Sequence, residues 1–346
     1  MPTDNWCIYR GHGEPHDGIH RLPPPPNWRR FDGGPPMPVP ADRGTGALRR
    51  LGVTDASATP RQSVVEMVNA ALYLRRPLLV TGKPGVGKSS LAYQVAHELK
   101  LGPVLNWPIS SRSTLREGLY EYDPIGRLRD ENIRQLAARD HPDPDAEGDA
   151  TIGDYLTLGP LGTALLPFEL PRVLLVDEID KSDVDLPNDL LNVLEDGEYV
   201  VAELRRLAGR QPDLEVQTAD QDGRAVVREG RVRCRAFPFM VLTSNDEREF
   251  PPAFLRRCLR LTLAEPDTEQ LSAMVAAHLG HDVATRARQL IEQFAEQRNG
   301  PGSFATDQLL SAVYLRYSST DADHDSGMLD AVTRHLLRDL NGPGPA

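Results

Sequence analysis

Lysine is nearly missing from this 346-residue chain: Lys83, Lys88, Lys100 and Lys181 are the only four, and every other cationic side chain of Lys or Arg type is an arginine. Cysteine is as sparse. Cys7, Cys234 and Cys258 are odd in number and scattered, which excludes a disulfide framework and suits reduced thiols in a cytoplasmic protein. No apolar run approaches the ~18 residues that span a bilayer, so no membrane segment is expected. The start, Met1-Pro2-Thr3-Asp4-Asn5-Trp6, lacks the basic and apolar regions of a secretory signal. A net charge of −11 without a visible basic stripe speaks against a nucleic-acid partner. An Asn-Lys-x-Asp guanine-reading segment is absent too, which disfavours GTP.

Against that background one lysine stands out. Residues 82–89 read Gly82-Lys83-Pro84-Gly85-Val86-Gly87-Lys88-Ser89, the G-x-x-x-x-G-K-S pattern. The apolar run Leu78–Thr81 precedes it and a helix-forming run from Ser90 follows. A short strand, a glycine loop and a helix start form the context in which this pattern cradles phosphates. The glycines let successive backbone amides face one anion, and the helix start adds partial positive charge. Lys88 reaches the β- and γ-phosphates there, and the Ser89 hydroxyl ligates Mg²⁺.

A second run, Arg172-Val173-Leu174-Leu175-Val176-Asp177-Glu178, is apolar throughout and ends in carboxylates, as a strand buried on both faces of a parallel sheet does. Ligands of open α/β sheets lie at strand carboxyl ends. Asp177 is therefore assigned to Mg²⁺ and Glu178 to polarising the attacking water. A third run, Phe239–Thr243, leads to Asn245, whose amide suits both γ-phosphate and water. Arg256 and Arg257 close a short helical stretch and suit a finger that neutralises transition-state charge.

Taken in that order, the motifs resemble an AAA+ ATPase of the MoxR type over roughly residues 57–340. The resemblance implies that Lys88 and Ser89 belong to Walker A, Asp177 and Glu178 to Walker B, and Asn245 to sensor 1. Arg256 and Arg257 match the arginines that act on a neighbouring subunit. Leu158–Ala164 resembles the loop inserted in the second helix, and residues 214–236 resemble the hairpin before sensor 1. The sensor 2 arginine departs from the pattern: Asn299–Asp307 contains none, although Arg298 is close. The family implies ATP and Mg²⁺ as ligands, a homo-oligomeric ring, most often hexameric, and a partner carrying a von Willebrand A domain.

The rest of the chain organises around this core. Residues 1–56 hold Pro23–Pro26 and Gly33–Pro40, which form neither helix nor central strand, yet they also carry Trp6, Tyr9, Trp28 and Phe31. An ordered strap is expected, because a solvated linker has little use for large aromatics. His12, His16 and His20 sit four apart, but Gly11, Gly13, Pro15 and Gly18 oppose the helix that would align them on a metal. Strands expected near 78–81, 103–107, 173–177, 239–243 and 259–263, with helices between, define an α/β P-loop NTPase fold with a parallel sheet and helices on both faces. It extends over residues 57–265. Residues 266–346 carry apolar residues at helical spacing around Leu271, Leu290, Leu309 and Leu336, which predicts a small α-helical lid.

The leading functional expectation is a ring ATPase that remodels or activates a partner protein. Gly159-Pro160 and the Asp222-Gly223 hairpin are expected to project toward the ring axis. A nucleotide-gated switch in bacterial defence or stress signalling is the alternative, and a nucleic-acid motor a further one.

Overall fold

The computed structural model describes residues 6–42, 61–140, 151–298 and 306–317. Its strands, in chain order, are β1 (Leu78–Thr81), β2 (Leu105–Pro108), β3 (Tyr120–Tyr122), β4 (Leu156–Leu158), β5 (Val173–Asp177), β6 (Glu198–Val200), β7 (Asp213–Gln217), β8 (Arg224–Arg228), β9 (Arg231–Arg233), β10 (Phe239–Ser244) and β11 (Leu259–Thr262). Five of them make a wholly parallel sheet in the order β11-β1-β10-β5-β2.

Side chains alternate along these strands, so both faces of the sheet are apolar. Leu78, Val80, Val173, Leu175, Phe239 and Val241 share one core with Val68 and Leu72 of helix Gln62–Leu74 and Leu91 and Val95 of helix Ser90–Glu98. Leu79, Leu174, Val176, Met240 and Leu242 share another with Leu190 and Leu194 of helix Leu186–Asp196. The α/β architecture expected from the sequence, with helices on both faces, is therefore the one observed.

The two insertions pack together. Strand β4 pairs in parallel with β7 at Thr157↔Gln217, which joins both insertions into one mixed sheet of order β3-β4-β7-β8-β9-β6. The cause is alternation: Leu214, Val216, Ala225 and Val227 fall on one side of the hairpin and are buried in the same core as Val176 and Leu242. Asp222-Gly223 lies in the connection of the expected hairpin, β7 pairing antiparallel with β8. The loop runs from Thr218 to Gly223, closed by Thr218 N–H to the Gly223 carbonyl and Gly223 N–H to the Asp220 carbonyl. Asp220 is drawn inward, where its two carboxylate oxygens accept from Arg172 Nη1 and Nη2 at 2.8 and 2.7 Å. Arg172 is fully buried immediately before β5, over the Phe168 ring, with a third bond to the Pro103 carbonyl.

Residues 6–42 lie along the α/β core. Asn69 Oδ1 accepts from the amides of Ile8 and Tyr9, and its Nδ2 donates to the Tyr9 carbonyl. The fully buried Glu98 carboxylate accepts from the amides of Arg10, Gly11 and Gly13. Further on, Phe31 stacks on Phe237 and Met37 bridges to Phe168. Trp6 meets Tyr73 edge-on. Trp28 is not an anchor: it is 79% exposed.

Beyond β11, helices Thr268–Leu279, His281–Arg286, Arg288–Arg298 and Thr306–Tyr317 pack around Leu271, Phe294, Leu309 and Val313. Gly280, at φ +97°, ends the helix Thr268–Leu279 and sets off the short helix after it. The expected helix around Leu329–Leu337, the acidic loop 141–149 and most of the sensor 2 stretch lie outside the described residues. No helix among the described residues is long and apolar enough to cross a membrane.

The buried pair beneath the hairpin gives a direct stability test. Asp220→Ala leaves the Arg172 guanidinium buried without its counter-charge, a situation that costs roughly 3–5 kcal/mol. Thermal and urea unfolding should show a loss of that size. An effect no larger than that of a surface substitution would mean that the Arg172–Asp220 pair does not hold the hairpin to the sheet.

Candidate functional site

The carboxyl ends of β1, β5 and β10 meet at one edge of the parallel sheet. Residues 82–89 leave β1 there as a loop and hand over to the helix that begins at Ser90. Gly82 has φ +146°, and a Cβ at that position would stand 2.7 Å from the Leu263 carbonyl oxygen. Gly87 has φ +91° and nothing within 4 Å of where its Cβ would be. The first glycine is required by packing. The second leaves open backbone beside Lys88, the space a phosphate needs to reach the amides. Pro84 and Gly85 turn the loop between them, and Val86 packs against the core beneath.

Lys88 is only 8% exposed. Its Nζ donates to the carbonyls of Gly82 (2.7 Å) and Lys83 (3.0 Å) and to Asn245 Oδ1 (2.7 Å), which uses all three of its protons. Burial lowers its pKa, while Asp180, Asp177 and Glu178 work in the opposite direction. A nearly buried ammonium among neutral carbonyls is poised to exchange one of them for an anion, because opposite full charges attract more strongly where water is excluded. The Lys83 side chain points elsewhere and pairs with Glu265, where β11 gives way to the helical region.

Ser89 Oγ donates to Asp177 Oδ1 at 2.7 Å. A hydroxyl and a carboxylate so placed are the oxygen donors that Mg²⁺ favours, so this pair fits the ion implied by the motif. Thr243 Oγ1, at the end of β10, also donates to Asp177 Oδ1 (2.7 Å) and accepts from the Glu178 amide (2.8 Å). Glu178 is left-handed at φ 61° and ψ 51°, a conformation costly for a residue with a Cβ. The Thr243 bond helps to hold it there. The Glu178 carboxylate accepts from Lys181 Nζ at 2.7 Å. Both side chains are about two-fifths exposed, so the pair is worth little, about 0–1 kcal/mol.

Asn245 is fixed from behind. Its amide nitrogen, and that of Glu247, donate to Asp180 Oδ2 at 2.7 and 3.3 Å. Asp180 is 5% exposed, and its Oδ1 has no partner. Thr243, Asp180 and Lys181 were not singled out from the sequence. Thr243 did carry a signal, a hydroxyl closing an otherwise apolar buried strand. Asp180 and Lys181 carried none beyond proximity to Asp177.

Arg256 and Arg257 are not brought to this site. Their backbone carbonyls accept from Arg76, just before β1, at the opposite end of the sheet. The four residues of β1 separate the two ends by ~13 Å. Arg256 bonds back to the Pro252 carbonyl, and Arg257 pairs with Glu195 at the end of helix Leu186–Asp196. Lys88, Ser89, Asp177, Glu178 and Asn245 thus form one cluster, with the two arginines on another face.

Fold and cluster define an α/β protein with a phosphate-binding loop at the carboxyl edge of a parallel sheet. The family model described as AAA domain (dynein-related subfamily) matches residues 77–258, from the residue before β1 to the one before β11, and the chain belongs to that family. Among solved structures, PCH-2 of C. elegans is 15% identical, with a TM-score of 0.34, over 80% of this chain and 62% of its own. A mutant of Thermotoga maritima RuvB is 14% identical, with a TM-score of 0.40, over 79% of this chain and 68% of its own. The chain thus spans less than two thirds of PCH-2. No curated protein matches.

Thr243 supplies the prediction for this site. Thr243→Val keeps the shape of a fully buried side chain but removes both bonds to the Asp177–Glu178 pair. Losing a partner at this remove from a metal ligand typically costs 10–100-fold in metal affinity or activity. Titrating Mg²⁺ against binding of an ATP analogue should show a loss of about that size, with Thr243→Ser close to wild type. Equal behaviour of the Val and Ser variants would mean that the hydroxyl is not used.

Proposed function

We propose that this chain is an ATP hydrolase of the MoxR type. On this reading it works as a homo-oligomeric ring, a hexamer, and remodels or activates a partner protein, one carrying a von Willebrand A domain. The observation that carries the reading is the separation of the site into two ends. The loop, Lys88, Glu178 and Asn245 occupy the carboxyl edge of the sheet, while Arg256 and Arg257 stand at the amino edge, ~13 Å away. A reaction that needs both sets is completed by a second copy.

In this mechanism the triphosphate enters over the open backbone at Gly87 and receives the amides of the loop and of the Ser90 helix start. Lys88 exchanges a carbonyl acceptor for a phosphate oxygen and keeps Asn245 in reach. Ser89 and Asp177 would hold Mg²⁺, which when bound would supply neutralisation of phosphate charge. Glu178 leaves Lys181, orients a water in line with the γ-phosphorus and accepts its proton as the water oxygen bonds to phosphorus, while the bond to the β–γ bridging oxygen breaks and ADP departs with that electron pair. Asn245 positions the same water. Arg256 or Arg257 of the next subunit neutralises the charge spread over the transferring group, a contribution of about 10³–10⁵ in rate in related chemistry.

The Glu178–Lys181 bond favours a second reading, a nucleotide-gated switch in which the base stays masked. Its small worth at an exposed site supports hydrolysis instead. Steady-state turnover separates the two.

Lys88→Ala is expected to abolish nucleotide binding, measured with a fluorescent ATP analogue. Glu178→Gln should bind ATP normally and hydrolyse it about 10²–10⁴ times more slowly. Equal loss of binding in both would remove Glu178 from its assigned role. Mixing subunits tests the division between neighbours: Lys88→Ala chains, inactive but with their arginines intact, should restore turnover to an inactive Arg256→Ala/Arg257→Ala double variant. A mixture no more active than its parts would contradict completion in trans.

A further inference from the structure

The sequence shows no basic stripe, yet folding assembles a basic face. Arg29, Arg75, Arg76, Arg256 and Arg257 gather at the amino edge of the central sheet, with Glu195 among them. Arg29, from residues 6–42, is built into this group: its Nε donates to the Arg75 carbonyl (3.1 Å) and its Nη1 to the Leu194 carbonyl (2.7 Å), the residue before Glu195. Its guanidinium lies 4.6 Å from the Phe237 ring centre. Burial, then the nearby charge of Arg76, lowers its pKa.

Trp28 precedes it and is left in solvent at 79% exposure. It sits in a single 3-10 turn, Asn27–Arg29, entered from Pro23–Pro26, and Arg75 Nη2 donates to the Pro23 carbonyl. The largest side chain of the segment is therefore presented outward on a backbone fixed on both sides. Such a residue loses little conformational entropy on docking, and Trp and Arg dominate interface hot spots.

The other end of the sheet has the opposite character. Asp183, Asp185, Asp246, Glu247 and Glu249 are exposed around the nucleotide edge, while the cations of the same loops are engaged, Lys83 with Glu265, Lys181 with Glu178 and Arg248 with the Ser182 carbonyl; Val184, 66% exposed, sits between the first two acids. Basic and acidic faces at opposite ends of one subunit are complementary in a head-to-tail contact, which repeats into a ring when the rotation closes.

We propose that the segment carrying Trp28 and Arg29 is part of the subunit interface, with Trp28 docking on the nucleotide edge of a second copy of this chain. Arg29 acts there as a positioning residue, tying the segment to the end of helix Leu186–Asp196 that holds Arg257 through Glu195. The inference rests on the ring reading above and adds the N-terminal segment to it.

Sedimentation velocity with ATP and Mg²⁺ tests it over a range of protein concentrations, for the wild type, Trp28→Ala and Trp28→Phe. Thermal melting and addition of a DNA duplex serve as controls. The wild type should assemble, Trp28→Ala should need about tenfold or more protein to do so, and Trp28→Phe should fall between. Melting of the dilute monomers should differ little, because Trp28 is 79% exposed. A wild type that stays monomeric throughout overturns the ring reading and this proposal with it. A wild type that assembles while Trp28→Ala assembles identically overturns this proposal alone. So does a Trp28→Ala variant that loses only duplex binding, which would assign the face to nucleic acid.

Discussion

An almost buried ammonium at the edge of a parallel sheet sets the terms for this molecule. Lys88 must be desolvated to sit inside a loop of backbone, and it must then find three acceptors. It finds two in the loop and one in Asn245. The last is available only because β10 lies directly beside β1, with Val80 opposite Thr243. Strand order thus decides whether this lysine is tolerable. The same order sets β5 on the other side of β10 and delivers Asp177 to Ser89 and Thr243.

The buried charges elsewhere play a different part. Arg172 with Asp220 ties the hairpin to the start of β5. Glu98, at the far end of the helix that begins beside Lys88, gathers three amides of the N-terminal segment. Each is a carboxylate or guanidinium that would be costly alone and is specific when paired. Together they fix the position of the insertions and of residues 6–42 on the nucleotide-binding core.

Much of the core was legible in the sequence because its information is local. Apolar runs of four to six residues ending in Thr81, Asp177 and Ser244 are strands with their functional residues at the ends. The glycine loop needs no distant partner to be recognised. What the sequence did not disclose depends on pairing between remote segments. The join of β4 to β7 follows from one parallel register, which neither stretch announces by itself. Asp220 reads as a turn residue until Arg172 is seen beneath it. Trp28 and Phe31 look alike as aromatics among prolines, but Phe31 meets Phe237 and Trp28 meets solvent. The basic face was invisible for the same reason: Arg29, Arg76 and Arg257 are remote in sequence and adjacent only after β1 and β11 pair.

On the proposed reading, one chain holds an incomplete site. Its most direct test is the ATP turnover rate per chain across a dilution series, with mass measured on the same samples. The rate per chain is expected to rise with concentration in step with assembly and to become negligible in the monomer. A rate per chain that stays constant down to fully dissociated monomer would contradict it.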